Sequence, residues 1–387
     1  MEMLIEEPKT DQAEKLNMLD ILKEILKAMV ERDASDVYFK VGSPPMLRIA
    51  GQLFSVKMDS LSPEQTESLA MQIMNNTQKA SFEDRPEVNM IYSLSGVGRF
   101  RVNIYRQRGS VGMVMRKVRT DIQGLEELKL PEVLKSLCMN QRGLVLLVGP
   151  TGSGKSTTLA AMVDYVNNNR TGHILTIEDP IEFLHQDHKC IVSQREIGTD
   201  TNNWGDALKN AVRQAPDIVL IGEMRDKESV ESAVFMAETG HLVMSTLHSN
   251  NASQAVERVI SFFPQEQHAE IFLQLSLNMR GVVSQRLVPR ADGNGRAVAV
   301  EVLVFNARVR ELTRGGDLTQ IKREIDFFHT EGMQSIDMAL FKLYQEGAIT
   351  LESALASADN PNDLRLKIKT APKKPVDTRG QLAGTQP

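Results

Sequence analysis

The sequence predicts an α/β fold with a parallel-rich sheet, preceded by a smaller α+β domain, and three observations carry that prediction. From residue 144 onward, short apolar runs of strand length alternate with helical stretches, the rhythm of a parallel sheet with helical crossovers. A glycine-rich segment, Gly149-Pro-Thr-Gly-Ser-Gly-Lys-Ser-Thr157, lies between one such run and the helical stretch after it. Before residue 118 the rhythm is different: one amphipathic helix is followed by short alternating runs broken by Gly and Pro.

The elements follow in chain order. Leu19, Leu22, Ile25, Leu26, Met29 and Val30 share one face at helical spacing, with Asn17 and Asp20 as candidate caps. Alternating runs over 36–41, 46–49, 91–94 and 99–105 predict strands, punctuated by Gly-Ser-Pro-Pro and Gly-Val-Gly, with a helix over 63–74 between them. This first domain is expected to span 1–118, with a polar linker over 119–124. The second is expected over 125–369. Its strands are 144–148, 173–177, 217–221 and 241–246; helices at 155–167, 204–214 and 227–238 separate them. Further helices are predicted over 252–262, 266–284 and 336–346. Residues 370–387, rich in Lys, Pro, Gly and Gln, are expected to be disordered.

Composition narrows the function classes. A chain of 387 residues predicts two or three domains, and 41% hydrophobic residues are enough for a substantial core. The net charge of -5 argues against nucleic acid as a partner. Cys138 and Cys190 stand far apart, which excludes a disulfide framework and fits a reducing compartment. The acidic start has no basic, leader-like segment, and the central apolar run Leu144–Val148 falls far short of the roughly 20 residues of a membrane helix. A cytoplasmic protein is expected, with peripheral attachment to a membrane complex left open.

The glycine-rich segment satisfies GxxxxGK[ST]. Its glycines let backbone N–H groups turn toward phosphate oxygens, and the helix that follows favours negative charge. Gly149, Pro150, Thr151, Gly152, Ser153, Gly154, Lys155, Ser156 and Thr157 are the expected nucleotide contacts. Lys155 is assigned to the β- and γ-phosphates of ATP and the Ser156 hydroxyl to Mg²⁺. Hydrolysis also needs carboxylates. Glu178 and Asp179 follow one predicted strand and Glu223 another, at the ends where open α/β sheets bind ligands. His241 opens a strand and His248 closes it; either is a candidate γ-phosphate sensor or an ordinary surface histidine. His185, His188 and Cys190 lack a fourth ligand at zinc spacing and read as a polar loop. Arg101 and Arg116 are either exposed basic residues or extra cations for the transferring phosphate.

Four signatures in order resemble the type IV pilus retraction ATPases (the PilT/PilU family) of the secretion-ATPase superfamily. They are GPTGSGKST at 149–157, TIEDPIEFLH at 176–185, APDIVLIGEMRD at 215–226 and TGHLVMSTLHSNNA at 239–252. RDASDVYFKVG, GRFRVN, QREIGTDTNNW, SQRLVPR and GMQSIDMALFKLYQEGAIT extend the likeness over roughly residues 15–365. The resemblance implies a PAS-like domain joined to a RecA-like P-loop ATPase domain, assembled as a homo-hexamer at the cytoplasmic face of the inner membrane. It implies an ATP-driven motor for pilus retraction and twitching motility. It gives Glu178 the part of catalytic glutamate and Glu223 that of the Walker B acid, holding Mg²⁺ through water. His241 and His248 become γ-phosphate sensors, and Arg101 and Arg116 nucleotide-contacting arginines.

Two features bear on the branch. Extension and type II secretion ATPases resembling this family carry a Cys-rich metal-binding insertion, which two isolated cysteines cannot supply. Where PilT-type motors have a segment like AIRNLIRE, this chain reads Ala307-Arg-Val-Arg-Glu-Leu-Thr-Arg-Gly-Gly316, and with its C-terminal tail it resembles the PilU-like branch. That branch implies an accessory motor whose partners are a PilT-type ATPase and a membrane platform protein. An extension or secretion ATPase, and a non-motor nucleotide-binding regulatory subunit, stay as alternatives.

Overall fold

A computed structural model describes residues 17–327 and 330–371. The chain packs as two compact units. Among the described residues, the first contains 17–121 and two short returns, Pro180–Leu184 and Gly198–Asp200; the second contains the other described residues. Arg119, at the start of the expected linker, forms a parallel bridge with Phe183. Of the tail expected to be disordered, Thr370 closes a helix and residues 372–387 lie outside the described residues.

The first unit opens with α1 (Met18–Glu31), whose first turn is capped by the Asn17 side chain and whose Leu22, Ile25, Leu26 and Met29 are buried. Next come β1 (Asp36–Phe39), β2 (Met46–Ile49), β3 (Gln52–Ser55), α2 (Pro63–Ile73), α3 (Asn76–Asp84), β4 (Glu87–Leu94), β5 (Gly98–Gln107) and β6 (Ser110–Lys117). The six strands form one antiparallel sheet in the order β3-β2-β1-β6-β5-β4. Period-2 alternation puts Phe100, Val102 and Ile104 of β5 in the core and turns Arg101 to the other face. The sequence reading assigns neither β3 nor α3. β3 is a largely exposed edge with no alternating pattern, and α3 buries only Phe82. The legible signal for α3 is its capping box, Asn75 with Gln78.

The second unit runs through α4 (Val133–Cys138), β7 (Gly143–Val148), α5 (Lys155–Asn169), β8 (Gly172–Glu178), β9 (Cys190–Glu196), α6 (Trp204–Ala211), β10 (Ile218–Ile221), α7 (Lys227–Glu238), β11 (Leu242–Leu247), α8 (Ala252–Ile260), α9 (His268–Asn278), β12 (Met279–Pro289) and β13 (Arg296–Val304). Five helices close the described chain: α10 (Ala307–Arg314), α11 (Leu318–Phe327), α12 (Ile336–Gln345), α13 (Leu351–Ser357) and α14 (Pro361–Thr370). Seven strands lie in the order β13-β12-β7-β11-β10-β8-β9, all parallel except for the antiparallel β12–β13 edge pair. Helices cover both faces, so the central strands read as unbroken apolar runs. Leu144, Leu146 and Val148 of β7 face one core with α7 and α8, while Val145 and Leu147 face another with α4 and α5.

Three sequence expectations need correction. The helix expected over 266–284 stops at Asn278, and the chain turns directly into β12. Leu, Ser, Asn and Met around the junction suit either state; the β-branched pair after Gly281 is the strand signal. β13, RAVAVEVLV, is not among the expected strands although its Val-rich run reads as one. The polar loop expected around His185, His188 and Cys190 is partly β9, a half-exposed edge whose Ile191 points to solvent and breaks the apolar pattern.

Arg310 on α10 holds the α9–β12 junction. Its guanidinium donates to the carbonyls of Phe305 (2.8 Å), Ser276 (2.8 Å), Leu277 (2.8 Å) and Met279 (3.2 Å). These include carbonyls a helix end leaves unsatisfied. Arg310→Ala is expected to cost about 2–3 kcal/mol and to lower the thermal midpoint by roughly 3–6 °C, measured by calorimetry beside wild type.

Candidate active site

The phosphate loop leaves β7 at Gly149. A Cβ there would lie 2.6 Å from the Gln285 carbonyl and 2.7 Å from Ser153 Oγ, and its φ of 143° suits glycine alone. The absent side chain lets the loop settle onto β12. Gly154 precedes α5 with φ 93°, turning the chain so that the helix opens toward the loop and presents the positive end of its dipole. Lys155 Nζ donates to the carbonyls of Gly149 (2.9 Å) and Pro150 (3.0 Å), which places its ammonium over the loop. Ser153 Oγ is buried without a hydrogen-bond partner among the described residues. From below, Gln285 Nε2 donates to Thr158 Oγ1 at 2.8 Å and ties the first turn of α5 to β12. Gln285 is a positioning residue that sequence reading passes over, because a lone amide in a strand carries no pattern.

The two acids are placed by neighbouring strand ends. Glu178 closes β8, and its Oε1 accepts from Thr176 Oγ1 at 2.6 Å and from Gln194 Nε2 at 3.4 Å. β10 ends at Ile221, and Gly222 brings the next turn so close that a Cβ would stand 3.3 Å from Glu178 Cα. Gly222 N donates to the Ile177 carbonyl (2.8 Å), and Thr246 Oγ1 donates to the Gly222 carbonyl (2.6 Å). Glu223, next in line, pairs with Arg225 Nε at 2.9 Å and with His248 Nε2 at 3.3 Å. Arg225 reaches on to Asp179 at 3.6 Å. Because β7, β8, β10 and β11 run parallel, the phosphate loop, Glu178, Glu223 and His248 all stand at one edge of the sheet. A cavity of about 540 Å³ opens there, lined by Gly149, Pro150, His248, Asn250 and Arg258 among others.

His241 is not brought to this edge. It precedes β11, whose residues 242–247 pair with 143–148 of β7. Six residues of strand therefore separate it from the loop of its own chain, roughly 20 Å at ~3.3 Å per residue. Its Nδ1 lies 2.9 Å from the Met236 carbonyl at the end of α7. The two histidines of one signature thus sit at opposite ends of one strand.

Arg101 and Arg116 belong to the first unit and are direct cross-strand partners on β5 and β6. Like charges in that register repel. Asp36 on β1, its side chain 3% exposed, offsets this: Arg116 Nε stands 2.6 Å and Arg48 Nε 3.6 Å from its oxygens. Elsewhere, the backbone N–H groups of His188 and Cys190 both donate to Asn167 Oδ1. Burial pushes the His185 imidazole down to about 4. These residues build the β8–β9 connection.

The model of the type II/IV secretion system proteins matches residues 11–324. The chain belongs to that family. Among its members, PilU, a type IV pilus ATPase of Pseudomonas aeruginosa, is 48% identical over 93% of this chain and 94% of its own length. PilT, the pilus retraction ATPase of the same organism, is 42% identical over 88% and 99%. A solved structure of the pilus retraction motor PilT with bound ADP superposes with a TM-score of 0.83 at 41% identity, covering 91% of this chain and all of that one. Within the secretion family the chain stands with the pilus retraction ATPases, and it is an ATPase with their two-unit α/β architecture. No helix among the described residues is long and apolar enough to cross a membrane.

Proposed function

We propose that the chain is an accessory, PilU-like motor that works as a homo-hexamer at the cytoplasmic face of the inner membrane and turns ATP hydrolysis into pilus retraction. The observation that carries this reading is the gathering of the phosphate loop, Glu178, Glu223 and His248 at one sheet edge. The donor set fits a magnesium–nucleotide complex: a cradle that a Cβ would fill, a buried Ser153 hydroxyl, a lysine ammonium and two carboxylates. Bound ATP supplies the transferable phosphoryl group, and Mg²⁺ supplies the charge that neutralises it.

Each residue then has a defined task. The backbone N–H groups of 151–157 and the Lys155 ammonium would bind and orient the phosphates, and the Ser156 hydroxyl and Glu223, through water, would hold the cation. Glu178 takes the proton of the attacking water, held in place by Thr176. His248 reads the γ-phosphate and reports to Glu223. Arg101 and Arg116 bring positive charge to a nucleotide of the ring.

The accessory reading is favoured by the higher identity to PilU than to PilT and by the Ala307–Gly316 segment. It implies a PilT-type ATPase and a membrane platform protein as partners. Deleting the gene tests the motor's direction: abundant pili that fail to retract are expected, and absent pili would replace retraction by extension. Hydrolysis by the purified chain, alone and with a PilT-type ATPase across protein concentration, tests the accessory role. Stimulation by the partner is expected, and full activity in its absence would make the motor autonomous.

A further inference from the structure

The loop that carries His248 is gripped from β13, an edge strand of the sheet, and its neighbour β12. Glu301 on β13, almost fully buried, accepts from the backbone N–H of Ala252, the first residue of α8, at 2.6 Å. Its cross-strand partner on β12 is Ser284, whose Oγ donates to the Asn250 carbonyl at 3.3 Å. Arg286, two residues further along β12, donates to the same carbonyl at 3.3 Å. Asn251, between them, caps α8 through Gln254 N at 2.9 Å. Three side chains on two adjacent strands thus fix residues 250–252, immediately after His248, which stands 3.3 Å from Glu223.

A buried carboxyl is a costly way to hold a helix end that Asn251 already caps. We propose that Glu301 is a positioning residue for the ATPase reaction, fixing the Asn250–Ala252 turn so that His248 is held where it distinguishes a nucleoside triphosphate from a diphosphate. The inference rests on the role given to His248 above. Arg286 extends the link outward: it donates to the Ser357 carbonyl and pairs with Asp359, which Lys322 of α11 also meets at 3.1 Å. The turn beside His248 is thereby fastened to the C-terminal helices.

The charged groups around Glu301 are Asp359, Lys322 and Arg286, with the Ala252 amide as its hydrogen-bond donor. Burial pushes its carboxyl up to about 7, the Ala252 N–H pulls it down, Asp359 adds to the rise, and Lys322 and Arg286 oppose it. An ionised acceptor holds the amide more strongly, so the grip tightens as pH rises through neutrality.

The test uses the full chain and needs no turnover: the ratio of the dissociation constants for ADP and a non-hydrolysable ATP analogue, read with fluorescent nucleotides between pH 6 and 8. His248→Ala is expected to collapse the ratio. Glu301→Leu lowers it about tenfold while ADP affinity stays within about twofold, and adds little on top of His248→Ala. Glu301→Gln, which keeps an acceptor for Ala252, retains the ratio within about threefold but loses the rise with pH that wild type shows. An unchanged ratio in His248→Ala would remove the sensing role itself. A reduced ratio there beside unchanged Glu301 variants would overturn the present inference alone. Should the Leu variant fail to fold, the Gln variant decides, and a pH profile that overlays wild type counts against the proposal.

Discussion

Replacing Glu178 by Gln lowers steady-state ATP hydrolysis by a factor on the order of 10²–10⁴, while nucleotide affinity stays within about threefold. The amide has the size of the carboxylate and still accepts from Thr176, whose hydroxyl lies 2.6 Å from Oε1. It cannot take a proton at neutral pH, so the geometry survives and the base is lost. β8 is parallel to β10 and buried in the sheet, so backbone pairing on the strand holds position 178 in place. Phosphate release in the presence of a PilT-type partner measures the first quantity and fluorescent nucleotide titration the second. Loss of binding together with turnover would make Glu178 a structural or metal-holding residue instead.

Lys155→Ala acts one step earlier. It removes the only side-chain ammonium of the phosphate loop and is expected to reduce hydrolysis at least ~10³-fold, with ATP affinity falling in parallel. Alanine suits the first turn of α5, so helix content and thermal midpoint should change little. Lys155 donates to the loop's own carbonyls, Gly149 and Pro150, so the loss is felt first within the loop. Hydrolysis within tenfold of wild type, in a preparation free of other ATPases, would remove the chemistry from this loop.

Legibility from sequence tracks what each element has to bury. β7, β10 and β11 are covered on both faces, and their apolar runs announce them within a residue. The phosphate loop, Glu178, Glu223 and His248 are legible for the same reason: each follows a strand that cannot be mistaken. β3 and β9 lie at sheet edges, half in solvent, and leave no such trace. The α9–β12 junction is hidden because the same apolar residues serve a helix on one side and a strand on the other. His241 illustrates a further limit: a motif groups residues along the chain, whereas a strand can carry its two ends to opposite edges of a sheet. Gln285 and Glu301 are invisible because single polar residues in apolar strands acquire meaning only from what lies across from them.

No residue connects α9 to β12: the helix ends at Asn278 and the strand begins at Met279. β12 runs past the phosphate loop, with Gln285 bonded to the first turn of α5, and its other end is welded to a helix by the guanidinium of Arg310. A displacement felt at one end of the strand therefore reaches the helix through the strand itself and the Arg310 bonds, with no loop between them.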